Sequence, residues 1–335
     1  MKDHVPAYLQ HQYSLHPRGK AKNLTNSCNF AEKVVSIDAS GNCFLCRCEA
    51  WLPISVGNIN QFQRLDDIWQ SPVAKTLAED LQEKKYSYCS VDICGIKQQN
   101  QYQEDFYLNV SIDESCNLRC PSCRKGLINI TSGPRFDEKL TTSKNLSRLI
   151  SNFDRQTFIT MSGNGDPFAS LIYRPILLNT IPNPKHKYRI LTNGLLLKKI
   201  LPKTSIQESI VEYNISIDAG DKDTYEKVRL GGRWEHLLEN LYWLKQNTKA
   251  SISLNFVLQN KNFQSIPHFE RLIDHLEVAG HVTKLEDWST FANFKEENVL
   301  QKSHKNFEEC IEICRKITSP NLKWQPELSQ MIKSS

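Results

Sequence analysis

Glycine and proline are scarce in this sequence, at 13 and 14 of 335 residues, which excludes a collagen-like or low-complexity chain. No segment approaches the roughly 18 unbroken apolar residues that a membrane helix needs. No block of lysine and arginine is long enough to form a phosphate-binding stripe, and the net charge of +5 is mild for this length. We therefore expect neither membrane insertion nor nucleic-acid binding.

Residues 1–20 carry polar and charged side chains without the apolar stretch of a secretory signal. We expect a cytoplasmic protein, in which thiols stay reduced. The sequence nevertheless holds 11 cysteines, and tight cysteine spacings in a reducing compartment indicate metal or redox sites. They form three groups: Cys28, Cys43, Cys46, Cys48, Cys89 and Cys94; Cys116, Cys120 and Cys123; Cys310 and Cys314.

From residue 105 onward, segments with strand periodicity alternate with segments of helical periodicity. Six such units predict an α/β fold, a partial (β/α)6 TIM-like barrel with a parallel sheet and crossover helices. The active site of such a barrel lies at the carboxyl ends of the strands. The predicted strands are 106–113, 157–162, 188–192, 210–218, 251–258 and 281–286, and the predicted helices are 138–152, 168–179, 195–200, 234–246 and 266–278.

A small cysteine-rich unit is predicted ahead of the barrel, over residues 24–100. Its pattern indicates a hairpin over residues 34–46 and a helix over residues 65–81. So short a unit buries little apolar surface, which favours stabilisation by a metal. The other predicted boundaries are 1–23 for an N-terminal extension, 105–293 for the barrel, and 294–335 for a C-terminal helix and polar tail.

The most informative motif is C-x3-C-x2-C directly after the first predicted barrel strand, formed by Cys116, Cys120 and Cys123. Iron–sulfur clusters usually take four cysteines. Three thiolates therefore leave one iron of a four-iron cluster open to a small molecule, and an open position marks a catalytic metal site. The alternatives are a zinc site or three free thiols. Zinc prefers paired ligand sets, and no fourth cysteine or histidine lies nearby in the sequence.

Three segments rich in glycine and polar residues follow later strands: Gly163-Asn164-Gly165-Asp166-Pro167, Thr192-Asn193-Gly194, and Ser216-Ile217-Asp218-Ala219-Gly220. With the cysteine motif, they resemble the radical S-adenosylmethionine (SAM) enzymes over about residues 105–290, although the first segment departs from the usual GGEP of that family. The resemblance implies a 4Fe–4S cluster that binds SAM. It also implies reductive cleavage of SAM to a 5′-deoxyadenosyl radical, which abstracts a hydrogen atom from the substrate.

The same resemblance implies a set of SAM contacts. Glycine would let the backbone approach SAM closely, Asn193 would bond its ribose or amino-acid part, Ser216 would offer a hydroxyl, and Arg229 would hold its carboxylate. The alternatives are an ordinary turn at residues 163–167 and a solvated helix charge at Arg229. The implied contacts are Gly163, Asn164, Gly165, Asp166, Asn193, Ser216 and Arg229.

The N-terminal cysteines, with their intervening glycines, resemble the SPASM/twitch auxiliary-cluster domain over about residues 24–96. In most relatives this domain follows the barrel, whereas here it precedes the barrel. The resemblance implies one auxiliary 4Fe–4S cluster, with Cys43 and Cys48 as surplus cysteines or alternative ligands. A zinc-stapled unit is the other interpretation. The implied ligands are Cys28, Cys46, Cys89 and Cys94.

Two further positions are candidates for the reaction itself. Some radical enzymes return a hydrogen atom from a lone cysteine, a role open to Cys310. Its spacing from Cys314 also suits an apolar helix stripe in which both pack as small hydrophobic residues. Glu286 and Trp288 end the sixth predicted strand, where they would face the substrate.

These observations predict a radical SAM enzyme that modifies a peptide or protein side chain. The alternative enzyme is an epimerase or dehydrogenase of a sugar or other small molecule. The alternative of another class is a non-catalytic iron–sulfur electron carrier or redox sensor. The expected partners are the substrate and an electron donor such as flavodoxin or ferredoxin.

Overall fold

The computed structural model describes residues 1–15, 18, 28–46, 52–90, 94, 105–161 and 165–334, which form ten strands and thirteen α-helices. The strands are β1 (Val34–Ile37), β2 (Asn42–Phe44), β3 (Ser55–Asn58), β4 (Phe106–Val110), β5 (Thr157–Met161), β6 (His186–Thr192), β7 (Ile210–Ser216), β8 (Ser251–Leu258), β9 (Ala279–Lys284) and β10 (Leu322–Trp324). The helices are α1 (Gln10–Leu15), α2 (Phe30–Lys33), α3 (Asp66–Gln70), α4 (Pro72–Gln82), α5 (Pro134–Ser151), α6 (Arg174–Asn179), α7 (Leu197–Ile200), α8 (Lys222–Val228), α9 (Trp234–Asn247), α10 (Ile266–Leu276), α11 (Phe294–Glu297), α12 (Phe307–Arg315) and α13 (Pro326–Ser334).

All ten strands belong to one sheet, in the order β10-β9-β8-β7-β6-β5-β4-β1-β2-β3. Every neighbouring pair from β10 to β1 is parallel, while β2 and β3 are antiparallel to their neighbours. The six predicted barrel strands correspond to β4–β9, which confirms the α/β class and the partial barrel. Two further parallel strands, β1 and β10, extend the predicted six.

The cysteine-rich segment is continuous with the barrel sheet. Its predicted hairpin forms as β1 and β2, and β1 also pairs in parallel with β4, with Val34 opposite Tyr107. All four residues of β1 are buried, and the strand has a neighbour on each side. A hairpin pattern in the sequence identifies only one of those neighbours. The predicted domain boundaries remain predictions.

The C-terminal segment differs from the expected polar tail, because it contains β10 and α13. The backbone N–H of Gly280 donates to the carbonyl of Asn321, and that of Gln325 donates to Val282, both over 2.9 Å. β10 has only three residues, of which Leu322 alone is buried. A strand this short has no alternating pattern that the sequence could reveal.

The helix predicted over residues 168–179 begins only at Arg174. The Asp166 carboxylate accepts the backbone N–H of Phe168 over 3.0 Å, and the Ser170 hydroxyl accepts that of Ile172, also over 3.0 Å. Such side-chain bonds offer the backbone an alternative to helical hydrogen bonds. Residues 166–173 therefore form a turn capped by these side chains instead of the start of a helix.

The two faces of the sheet differ in polarity. On the face covered by helices, Gly280 of β9 leaves room for α10, because a Cβ there would lie 2.7 Å from Ile273. On the concave face, alternate strand positions carry polar side chains that line a cavity of about 310 Å³, among them Asn109, Thr160 and Asn214. The open concave side of the sheet is therefore suited to a polar ligand. Within the described residues, no helix is long and apolar enough to cross a membrane.

Helix α5 joins the cysteine-rich segment to the barrel. Lys139, which is 7% exposed, donates from Nζ to the carbonyl oxygens of Ile112, over 3.0 Å, and of Ala39 in the β1–β2 turn. Farther along the helix, Asn145 Nδ2 donates to the carbonyl of Ile59 over 3.0 Å. These bonds fix the N-terminal segment against the loop that follows β4.

We expect Lys139→Met to lower the free energy of unfolding by about 1–3 kcal/mol, because two buried carbonyls lose their charged donor. Urea unfolding of the metal-free protein measures the change. Lys144→Met is the matched control, since Lys144 is exposed on the same helix. Equal stability of the two variants would contradict this role of Lys139.

Candidate active site

The C-x3-C-x2-C loop leaves the carboxyl end of β4, as the sequence predicted. The Cys116 N–H donates to the carbonyl of Ile128 over 2.9 Å, and the N–H groups of Cys123 and Arg124 both donate to the carbonyl of Cys120 over 3.0 Å. These bonds hold the three cysteines on one compact loop. Burial raises the pKa of the Cys116 thiol to about 11 and also raises the pKa of Cys120.

A nitrogen donor lies against each of the three sulfurs. Asn193 Nδ2 donates to Cys116 Sγ over 3.7 Å, and Arg229 Nη1 donates to Cys120 Sγ, also over 3.7 Å. Arg124 Nη2 donates to Cys123 Sγ over 3.5 Å. Asn193 follows β6, Arg229 follows α8, and Arg124 belongs to the loop itself, so the tertiary fold brings these groups together.

The donor set fits an iron–sulfur cluster. Cysteine thiolates are its preferred ligands, and nitrogen donors next to them stabilise their negative charge. Within the described residues, no three Cys, His, Asp or Glu side chains lie close enough to share a single metal ion. A four-iron cluster binds each cysteine through a different iron, so its ligands do not converge on one point.

Asp166 organises the centre of the site. Its Oδ2 accepts the Thr192 hydroxyl and the Asn193 N–H, both over 2.7 Å, and its own N–H donates to the carbonyl of Ser115 over 2.9 Å. Burial raises the pKa of Asp166, while these donors favour the carboxylate. The residue thus links the turn after β5 to the cysteine loop and to the end of β6.

Gly165 allows the close approach of two loops. A Cβ at this position would lie 2.5 Å from the carbonyl oxygen of Ser115 and 2.9 Å from that of Asp113. Contact with the cysteine loop therefore requires glycine at this position, and the approach to SAM stays a prediction. Gly163 and Asn164 lie outside the described residues.

The segment after β7 contributes a buried ion pair that the sequence analysis did not single out. Arg229 Nη2 lies 2.9 Å from Asp218 Oδ2, and Asp218 Oδ1 accepts the N–H of Val257 over 2.8 Å. Burial lowers the pKa of Arg229, but the neighbouring Asp218 raises it overall, so the guanidinium stays charged. Its Nε is buried without a hydrogen-bond partner in the described part of the chain.

This unpaired donor fits a carboxylate ligand such as that of SAM. Ser216 ends β7 in a half-exposed position on the same edge. The signal for Asp218 was present in the sequence, as an acidic residue directly after a strand with an arginine downstream. Nothing in the sequence indicated that the two charges would pair beside Cys120.

The four N-terminal cysteines with implied ligand roles also lie together. Burial, followed by the nearby Cys46, Cys28 and Cys94 thiolates, raises the pKa of Cys89 well above its ordinary value. Burial and the nearby Cys94 raise the pKa of Cys28 to about 11. The fold thus gathers cysteines from before α2, after β2 and after α4, and four thiols are the usual ligand set of a closed cluster.

Cys43 does not belong to this group. It is fully buried in β2, and its thiol donates to the carbonyl of Gly41 over 3.8 Å. Burial and the nearby Asp38 raise its pKa, with no contribution from another cysteine. Cys48 lies outside the described residues.

The candidates for the reaction itself share no hydrogen bond or ion pair with the cysteine loop in the described part of the chain. Cys310 is a free cysteine, fully buried in α12, where its thiol forms a hydrogen bond with that of Cys314. It belongs to the same buried apolar cluster as Phe307 and Ile311, so its surroundings are those of a core residue. Glu286 is exposed past the end of β9, 3.5 Å from Lys284 Nζ. Trp288 is 69% exposed.

We expect Gly165→Ala to displace the cysteine loop and to reduce iron binding at the C-x3-C-x2-C site at least several-fold, because its Cβ would overlap the Ser115 carbonyl. Iron content after anaerobic reconstitution measures this effect. Gly126→Ala is the matched control in the same loop, since a Cβ there meets nothing within 4 Å. Equal iron content in both variants would contradict the packing argument.

Comparison with known proteins gives two family matches. Residues 110–273 match the model of the radical SAM superfamily, and residues 28–95 match the model of an iron–sulfur cluster-binding domain named SPASM. The first match includes the cysteine loop and the segments after β5, β6 and β7. The second includes all four clustered N-terminal cysteines.

Individual relatives are distant. A GTP 3′,8-cyclase of Lactiplantibacillus plantarum is 28% identical over 162 residues, which are 45% of this chain and 45% of the relative. Molybdenum cofactor biosynthesis protein 1 of Drosophila melanogaster is 29% identical over 138 residues, which are 40% of this chain and 24% of the relative. The chain thus spans less than half the length of these curated relatives.

Among solved structures, SuiB of Streptococcus suis bound to its precursor peptide SuiA aligns with a TM-score of 0.44 and 14% identity, over 78% of this chain and 55% of that chain. The family matches, in contrast, cover the residues that form both cysteine groups. Residues 110–273 thus form a radical SAM domain, whose cysteine loop suits a SAM-binding 4Fe–4S cluster, and residues 28–95 form a SPASM domain, whose clustered cysteines suit an auxiliary iron–sulfur cluster.

Proposed function

We propose that this enzyme abstracts a hydrogen atom from a peptide or protein side chain held on the concave face of the sheet. The observation that carries the proposal is the cavity of about 310 Å³ on that face. Asn109, Thr160 and Leu191 each line it one position before the end of their strand. The cavity therefore adjoins the edge of the sheet from which the cysteine loop leaves.

The chemistry of the cavity wall suits a peptide. Half of its lining residues carry amide or hydroxyl groups, and these groups pair with the N–H and carbonyl groups of a peptide backbone. Asn255 Nδ2 donates to the side-chain oxygen Oδ1 of Asn214, so the Asn214 Nδ2 group takes no part in that bond. The polar lining groups are Ser36, Asn109, Ser111, Thr160 and Asn214.

The charge of the wall argues against a nucleoside triphosphate, the substrate that the name of the Lactiplantibacillus relative indicates for that protein. Among the described residues that line the cavity, Arg189 is the one cation. Its Nε and Nη2 lie 2.7 and 2.6 Å from Glu212 Oε2, and its guanidinium lies 4.8 Å from the centre of the Phe158 ring. A triphosphate needs cations whose charge is not already balanced.

We further propose how the residues of the site divide the work. When bound, the cluster would supply one electron for the reductive cleavage of SAM, and SAM would supply the 5′-deoxyadenosyl group that leaves with the substrate hydrogen atom as 5′-deoxyadenosine. Cys116, Cys120 and Cys123 hold the cluster, and Arg229 Nε and the Ser216 hydroxyl bind the SAM carboxylate. Gly163 and Asn164 remain predicted SAM contacts outside the described residues, and a flavodoxin or ferredoxin would supply the electron.

The auxiliary site adjoins the same cavity. Asn109 Nδ2 donates to the Ser36 hydroxyl over 3.1 Å, and that hydroxyl donates to the carbonyl of Cys46 over 2.6 Å. Ser36 and Asn109 line the cavity, whereas Cys46 belongs to the N-terminal cysteine group. This chain of hydrogen bonds supports an auxiliary cluster that lies behind the wall of the substrate cavity, with Cys28, Cys46, Cys89 and Cys94 as its ligands.

The ligand sets predict iron contents. We expect about eight irons per chain in the anaerobically reconstituted protein and about four in a Cys116/Cys120/Cys123→Ala variant. Cys89→Ala should lose the auxiliary cluster and keep the other. Cys43→Ala is the control, because Cys43 lies apart from the group, and loss of iron in this variant would show that the ligand set is wrong.

The substrate class is tested by hydrogen transfer. Cells grown in deuterated medium supply an extract, from which the peptide and protein fraction is incubated with reduced enzyme and SAM. We expect deuterium to appear in the 5′-deoxyadenosine that forms. Protease treatment of that fraction should abolish the transfer, and mass spectrometry of 5′-deoxyadenosine measures it.

The cysteine-loop triple variant is the control for enzyme-dependent cleavage. Deuterium transfer only from the small-molecule fraction would replace the peptide with a sugar or another small molecule. Transfer from deuterated GTP alone would favour a nucleotide substrate and contradict the charge argument.

A further inference from the structure

We propose that Asn193 is a positioning residue that raises the reduction potential of the SAM-site cluster by donating a hydrogen bond to the Cys116 sulfur. Arg229 and Arg124 act in the same way on Cys120 and Cys123. The inference rests on the proposed cysteine ligands and is independent of the substrate.

The orientation of the Asn193 amide is fixed by its neighbours. Its Oδ1 accepts the backbone N–H of Leu195 over 3.1 Å, so its Nδ2 must point to the opposite side. There the two N–H groups have two acceptors, Asn117 Oδ1 at 2.8 Å and Cys116 Sγ at 3.7 Å. Both N–H groups of the amide therefore donate to the cysteine loop. This role differs from the contact with SAM that the family resemblance implies for Asn193.

The position of Asn193 is equally constrained. Its backbone N–H donates to Asp166 Oδ2 over 2.7 Å, and the residue is only 5% exposed. Asp166 is itself bonded to Thr192 and to the carbonyl of Ser115 in the cysteine loop. The donor and the sulfur are thus held by the same network, so the hydrogen bond does not depend on a mobile surface side chain.

The other two sulfurs have charged donors with equally defined anchors. Arg229 is paired with Asp218 over 2.9 Å while it donates to Cys120. Arg124 donates from Nη1 to the carbonyl of Glu114 over 2.8 Å and from Nη2 to Cys123. Each protein ligand of the cluster thus has one side-chain nitrogen donor, and each of these donors has a second bond that aims it. Cys116 Sγ also accepts the backbone N–H of Leu118 over 3.4 Å, a bond that the Asn193 variants would leave in place.

Hydrogen bonds to the sulfurs are one of the ways in which a protein sets the potential of an iron–sulfur cluster. Reduction adds an electron, which increases the negative charge on the sulfurs. An N–H donor therefore stabilises the reduced cluster more than the oxidised one. Removing the donor should make the cluster harder to reduce.

The test is the midpoint potential of the SAM-site cluster, measured by EPR-monitored redox titration without SAM in a Cys89→Ala background that lacks the auxiliary cluster. In Asn193→Ala we expect the ratio of reduced to oxidised cluster at a fixed potential to fall by up to about tenfold. For one electron, this corresponds to a midpoint potential that is more negative by up to about 59 mV. Asn193→Asp keeps the acceptor for Leu195, removes the donor and adds a negative charge, so its shift should be larger.

Asn240 provides the matched control. It is also buried, its Oδ1 accepts the backbone N–H of Lys198 over 2.9 Å, and its Nδ2 donates to the carbonyl of His236 over 2.8 Å. Asn240→Ala and Asn240→Asp therefore lose the same kinds of hydrogen bond without touching a sulfur. They should lose stability but keep the wild-type potential.

Iron content separates the two ways in which the inference could fail. Absence of a cluster at the Cys116 site of the background protein would overturn the ligand assignment. A cluster with an unchanged potential in the Asn193 variants would overturn the role of Asn193 alone. If the Asn193 variants do not retain iron, the midpoint potential of Arg124→Met becomes the test of the proposal. An unchanged potential in Arg124→Met would overturn it.

Discussion

The buried carboxylate of Asp166 is the interaction on which the site depends. It accepts hydrogen bonds from Thr192 and Asn193 at the end of β6, and the backbone of the same residue binds Ser115 in the cysteine loop. Parallel strands bring their carboxyl ends to one edge of a sheet, but they do not determine how the loops beyond that edge contact each other. Asp166 joins three of these loops through its carboxylate and its backbone N–H, and the absence of a side chain at Gly165 lets two of them touch.

The same network explains why the cysteine loop is surrounded by nitrogen donors. Asn193 reaches Cys116 because Asp166 holds its backbone, and Arg229 reaches Cys120 because Asp218 holds its guanidinium. On the other side of β4, the hydroxyl of Ser36 connects the concave cavity to the carbonyl of Cys46. The two cysteine groups are thus built into one continuous sheet, with the polar cavity between them.

Much of this arrangement could be predicted from the sequence. The six central strands, the C-x3-C-x2-C loop after the first of them and the cysteine-rich N-terminal segment follow from local periodicity and spacing, which need no knowledge of distant contacts. The parallel pairings of β1 and β10 could not be predicted in this way. β10 is too short to carry a pattern, and the second neighbour of β1 is separated from it by more than sixty residues of sequence.

The sequence by itself determined the class of fold, the family, and which cysteines are available as ligands, because these properties depend on residue type and spacing along the chain. Only the tertiary structure decided how those residues are used. It grouped Cys89 with Cys28, Cys46 and Cys94 while leaving Cys43 in the core of β2. It also paired Asp218 with Arg229 and directed the Asn193 amide toward a sulfur, because hydrogen bonds and ion pairs form between groups that packing brings within reach, wherever they lie in the sequence.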